Sequence, residues 1–119
     1  MKIAITSSGK NMTDMLDTRF GRAKYFIVVD TETGKGEAHD NQQNLNAAQG
    51  AGIQAAQAVA NLGVAAVISG NLGPKAFQTL QAADIKMYLC DQVPVAEAVQ
   101  RFQAGELKDL QSANVAGHW

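Results

Sequence analysis

Apolar positions along this chain follow two alternating periods. Lys2–Thr6 alternates and then meets Ser7-Ser8-Gly9, the pattern of a short buried strand. Tyr25–Asp30, YFIVVD, predicts a second strand, and the turn TETGKG leads into a third, Glu37–Asp40, whose low apolarity suits a sheet edge. Val64–Ile68 is continuously apolar, as expected of a parallel strand covered on both faces, and Ile85–Cys90 predicts a fifth. Between these runs a helical period takes over. Ile53, Ala56 and Ala60, with Val59 beside them, predict a helix over about Gly50–Leu62 that stops at Gly63. Pro74 opens a second helix that packs Phe77 and Leu80. Val95, Ala98, Val99 and Phe102 share one face of a third, with Asp91 near its start, Pro94 in its first turn and Gly105 at its end.

The order β-β-β-α-β-α-β-α predicts a three-layer α/β domain. Strand two runs antiparallel to strand one, and strands three, four and five run parallel to it. Two stretches lack any period. Ser7–Lys24 is a long loop, and Asn41–Gly50 is a polar connection. Gly9–Phe20 and Asn41–Gln49 are expected to be mobile without a ligand, because they have few apolar anchors. One domain is expected over residues 1–111, with 112–119 as a flexible tail.

In an open α/β sheet a ligand sits beyond the carboxyl ends of the parallel strands. Here that edge collects Ser8, Gly9 and Lys10 after strand one, Asn41 after strand three, and Ser69, Gly70 and Asn71 after strand four. Arg19, Arg22 and Lys24 lead into strand two at the same edge. Gly50 and Gly52 open the first helix, and Gly73 and Lys75 the second, so uncapped backbone N–H groups point the same way. The constellation predicts an anion site. The bland alternative for any one of these residues is turn geometry or a solvated loop. A nucleotide phosphate fits poorly: GAGIQA lacks the third glycine of a dinucleotide fingerprint, and GNLGPK has the wrong spacing for a phosphate-binding loop.

Charge narrows the partners. Ten Lys and Arg stand against eleven Asp and Glu, for a net charge of -1, so a nucleic-acid partner is not expected. The one cysteine, Cys90, cannot build a four-thiolate centre. Met12, Met15, His39 and Cys90 are the candidates for soft-metal ligands, although a packed thiol and a surface histidine are the simpler readings. No stretch is long enough to span a membrane and the amino terminus lacks a signal-peptide core, so no membrane association and a cytoplasmic location are expected. No nucleophile elbow or metalloprotease motif occurs, and no enzyme is expected. His118 lies in the tail and carries no assignment.

TRFGRAKYFIVVD (Thr18–Asp30), GAGIQAAQ (Gly50–Gln57) and GPKAF (Gly73–Phe77), in that order, resemble the dinitrogenase iron–molybdenum cofactor biosynthesis family over roughly Met1 to Gly105. The resemblance implies a ribonuclease H-like five-stranded mixed sheet in the order 3-2-1-4-5. It implies a non-enzymatic carrier of preformed metal–sulfur clusters. Small single-domain members imply a molybdenum–copper sulfide cluster as the cargo, with an iron–molybdenum–sulfur precursor as the alternative. A P-loop ATPase of the cell-division or cluster-assembly type is the implied protein partner, and a monomer is expected; the alternative functions are a regulatory module that binds such an ATPase without metal and a ribonuclease H-like enzyme. Such a cluster brings its own sulfide, so it needs positive charge and N–H donors more than protein thiolates.

Overall fold

A computed structural model describes residues 1–41 and 51–115. Six strands form one mixed sheet: β1 (Lys2–Ser7), β2 (Tyr25–Asp30), β3 (Gly36–Asp40), β4 (Ala66–Ser69), β5 (Lys86–Leu89) and β6 (Lys108–Asp109), in the order β3-β2-β1-β4-β5-β6. The described residues contain helices α1 (Ala51–Ala60), α2 (Pro74–Ala82) and α3 (Val95–Gln103). The expected order of the first five strands is present, with β2 antiparallel to β1 and β4 and β5 parallel. The expected five-stranded sheet is incorrect. Lys108 and Asp109 pair antiparallel with Leu89 and Tyr88, adding a sixth strand. Two exposed polar residues have no hydrophobic period, so nothing in their sequence marks a strand.

Strand alternation sorts the side chains into two cores. Ala4, Phe26, Val28 and Val67 face α1 and α2. Ile3, Ile5, Ile27, Val29, Ala66 and Ile68 face α3. The central pairings Ile5–Ile27 and Ile5–Ile68 fix the register, because a slip by one residue would exchange the two faces.

The expected mobility of Gly9–Phe20 does not agree with the structure. Leu16 and Phe20 are fully buried, and the segment's backbone is bonded to β1, to the β4–α2 connection and to the start of α3. Sparse anchors are enough when each goes into a core. Of the second expected mobile stretch only Asn41 is described. Residues 42–50 lie outside the described residues, as do Gly50 at the predicted start of the first helix and His118.

The end of α2 contains the described non-glycine residue with positive φ, Asp84 at 63°. Ile85 N–H donates to Leu80 O at 3.0 Å, closing the helix in the manner that favours glycine at the left-handed position. Asp84 also puts a carboxylate at the negative end of the helix dipole. Asp84→Gly should therefore raise stability by about 1 kcal/mol, seen as an upward shift in the thermal midpoint.

Candidate functional site

The carboxyl edge of the sheet is roofed by one segment, residues 8–24. Its first half lies on the α3 side. Ser8 N–H donates to Met15 O at 3.0 Å, and Leu16 N–H donates to Val93 O at 2.8 Å. Val95 and Ala96, the first two residues of α3, donate their N–H groups to the carbonyls of Asp14 and Met12 at 2.9 Å each. The loop's own backbone therefore caps α3, and these two amides are not offered to an external anion.

The segment crosses the end of β1 at Asp17. Asp17 N–H donates to Thr6 O at 3.0 Å, and Thr6 Oγ1 donates to Asp17 O at 2.6 Å. Thr6 Oγ1 also meets Ser69 Oγ at 3.0 Å. Both hydroxyl residues are fully buried. After the crossing Phe20 enters the α1/α2 core, its ring 5.5 Å from that of Phe26. Phe20 N–H donates to Asn71 O at 3.2 Å, and Arg19 pairs with Asn71 as an isolated parallel bridge. Residues Phe20–Arg22 form a 3-10 turn packed on α1.

This crossing divides the predicted basic cluster. Lys10 precedes it, with Nζ 5.7 Å from the centroid of the Tyr25 ring, and Tyr25 shares the face of Ile27 and Val29. Arg19, Arg22 and Lys24 follow it; Arg19 bridges Asn71, and Arg22 ends the turn packed on α1. Asn71, Gly73 and Lys75 lead into α2, whose first turn begins at Pro74 and whose N-cap residue, Gly73, has no side chain to cap it. Arg19 Nε lies 3.7 Å from Asp17 Oδ1, with the arginine side chain 54% exposed. An ion pair this open is weak, which leaves the guanidinium free to turn toward a ligand.

Several predicted residues support this edge rather than face out from it. Asn41 is buried, and its Nδ2 donates to Ala23 O at 2.7 Å, bracing the turn that contains Arg22. Ser69 is buried against Thr6. Gly52 lets α1 approach α2: a Cβ there would lie 3.4 Å from Ala76 Cβ. At Gly70 a Cβ would lie 2.8 Å from Thr18 Cα, so glycine is required by the close approach of the crossing segment. A Cβ on Gly9 would collide with the Asp14 carboxylate. Ser8 is exposed beside it.

The soft-metal candidates are scattered. Met12 packs over the edge strand, its Sδ 2.9 Å from where a Gly36 Cβ would be. Met15 is exposed next to Pro94. His39 lies on β3 with Nε2 3.7 Å from Glu37 Oε1. Cys90 is buried, and burial pushes its thiol pKa up against the opposing pull of Arg101. Among the described residues no three His, Cys, Asp or Glu side chains converge as a metal would require. The hydroxyl of Thr6, the crossing point Asp17 and the distant Asn114 are structural parts of this edge that sequence reasoning missed, and none carries a periodic signal.

The model of the dinitrogenase iron-molybdenum cofactor family matches residues 1–105. The chain belongs to that family. It is similar to the orange protein of Desulfovibrio gigas, solved in its apo form, with 42% identity over 96% of each chain and a TM-score of 0.93. A protein from Thermotoga described as a putative NifB protein is 38% identical over 98% of each chain, with a TM-score of 0.84. An uncharacterized protein of Methanocaldococcus jannaschii is 30% identical over 113 residues, 93% of this chain and 92% of its own length. Among the described residues no helix is long and apolar enough to cross a membrane.

A raised thiol pKa and poor access make a specific prediction for Cys90. Alkylation by iodoacetamide in the folded protein should be slow at neutral pH and should accelerate only as the pH rises past the ordinary thiol value of 9.0, because only the thiolate reacts. Mass spectrometry of the alkylated fraction against pH measures this.

Proposed function

We propose that this chain is a non-enzymatic carrier of an anionic, molybdenum-containing metal–sulfur cluster. The family and the orange-protein likeness support cluster carriage in general. The finer reading, a molybdenum–copper sulfide cluster, follows the resemblance of its motifs. An iron–molybdenum–sulfur precursor carries the same kind of charge and sulfide surface, and metal analysis of the loaded protein separates the two.

The observation that carries the proposal is the backbone bridge of Arg19 to Asn71, just ahead of the amino end of α2, where the N-cap residue Gly73 supplies no side-chain cap. Guanidinium groups and first-turn amides both attract a multiply charged anion. Sulfide on the cluster surface accepts these N–H groups, so no protein thiolate is required. Lys24 and Lys75 add charge at the rim, while Asn41 and Ser69 hold the frame. Lys10, Met12, Met15 and Cys90 belong to the opposite side and stand outside the proposed contact set.

The ribonuclease H-like reading rests on the strand order and on the resemblance. An enzyme of that class needs carboxylates at neighbouring strand ends, whereas β1 ends in Thr6 and Ser7, both buried and hydrogen-bonded. A P-loop ATPase partner gains no support from the family, the relatives or the fold, and the proposal does not include it.

Tetrathiomolybdate with copper(I) is a direct probe. Arg19→Ala combined with Arg22→Ala should weaken its retention by about 1 kcal/mol or more, roughly fivefold, and should flatten the fall of affinity with salt. Spectrophotometric titration at several salt concentrations reads both effects. Equal affinity and equal salt response in the double variant contradict the proposal.

A further inference from the structure

The family match ends at residue 105, but the chain continues as an ordered strap. Lys108 and Asp109 add to the sheet, and Leu110 is buried with its N–H donating to Met87 O at 2.8 Å. Asn114 then reaches the connection between β4 and α2. Its Oδ1 accepts from Leu72 N–H at 2.8 Å, and its own N–H donates to Leu72 O at 3.2 Å. Its Nδ2 donates to Gly70 O at 3.3 Å and to Asn71 Oδ1 at 3.2 Å. One asparagine thus engages Gly70, Asn71 and Leu72 in succession. Residues 112–115, expected to begin a flexible tail, contain this anchor.

The other side of the same three residues meets the basic segment. Thr18 fills the space where Gly70 would carry a Cβ, Arg19 bridges Asn71, and Phe20 N–H donates to Asn71 O. The connection is therefore clamped between Arg19 and the strap, and α2 starts directly after it. Leu72 is fully buried. Removing the Asn114 acceptor leaves a buried N–H without its partner, and such a group forces the backbone to move or incurs its full desolvation penalty.

We infer that Asn114 is a positioning residue of the anion site: the carboxyl-terminal strap holds residues 70–72 in register so that Arg19 and the amino end of α2 face one ligand. Asn114 touches no ligand in this scheme and acts through Asn71 and Leu72. The inference rests on the proposed reading of this edge as the cluster site.

The test compares the full native chain with Asn114→Ala, titrated with tetrathiomolybdate and copper(I) well below the melting temperature, and measures amide exchange in parallel. The expected result is an affinity about tenfold weaker, with exchange at Leu72 and Phe20 accelerated about tenfold and the amides of Ile5 and Ile68 unchanged. Asn114→Asp keeps an acceptor for the Leu72 N–H but sets a carboxylate oxygen against Gly70 O and Asn71 Oδ1, so exchange at Leu72 should stay slow while Phe20 accelerates. It decides the matter if the alanine variant does not fold: fast exchange at Phe20 supports the inference and slow exchange there overturns it. Equal affinity in a folded Asn114→Ala protein overturns it, as does loosening of Leu72 with Phe20 undisturbed, since Asn114 would then only tie down its own loop. A native chain that shows no uptake defeats the reading of the edge itself and the inference with it, and that outcome differs from uptake shared equally by both proteins.

Discussion

Everything at the candidate edge depends on the crossing of β1 by Asp17. Two hydrogen bonds, Asp17 N–H to Thr6 O and Thr6 Oγ1 to Asp17 O, tie an otherwise irregular segment to the most central strand. The same threonine hydroxyl meets Ser69 at the end of β4. Before that point the chain serves the α3 face, where Leu16 fills the core and the carbonyls of Met12 and Asp14 cap α3. Beyond it the chain serves the α1/α2 face, where Phe20 fills the core and Arg19 bridges Asn71. A buried hydroxyl within reach of Asp17 O, Ser69 Oγ and Ile68 O holds this arrangement firmly, because breaking it would leave polar groups unsatisfied in a dry interior.

The division has an electrostatic consequence. Helix amino ends are interchangeable as anion sites only if their first-turn amides are open. The loop's own carbonyls cap α3, whereas the N-cap residue of α2, Gly73, has no side chain to cap it. In the proposed reading Arg19, whose backbone bridges Asn71 just ahead of α2, adds to the partial positive charge of that helix end. A cargo that carries its own sulfide suits such a surface. The proposed reading does not require the lone thiol, which is buried on the other side with its pKa raised by burial.

Much of this was legible in the chain. YFIVVD and VAAVI declare strands because every residue is apolar or ends a run, and Val95–Phe102 declares a helix by its spacing. The order of β1 to β5 follows from handed crossovers. The family signal carried by Thr18–Asp30 agrees with the family match over residues 1–105. What escaped was everything held by backbone bonds or single polar side chains. β6 is two exposed residues long, so it has no period to detect. The roof segment looked loose because its anchors are few. Its stability comes from amides paired with strands and helices far away in sequence. Asn114 is 42 residues from Leu72, and nothing local marks it. Gly52 and Gly70 read as ligand-approach glycines, yet each accommodates a protein neighbour.

The measurement that tests this account most directly is a nuclear magnetic resonance titration of the native chain with tetrathiomolybdate and copper(I), following backbone amides and arginine side-chain N–H groups. The account predicts that shifts concentrate at Arg19–Lys24 and Asn71–Ala76, with Val95, Ala96, Met12 and Cys90 nearly silent. Shifts centred on α3, Met15 and Cys90, with Arg19 and Lys75 unmoved, would contradict it.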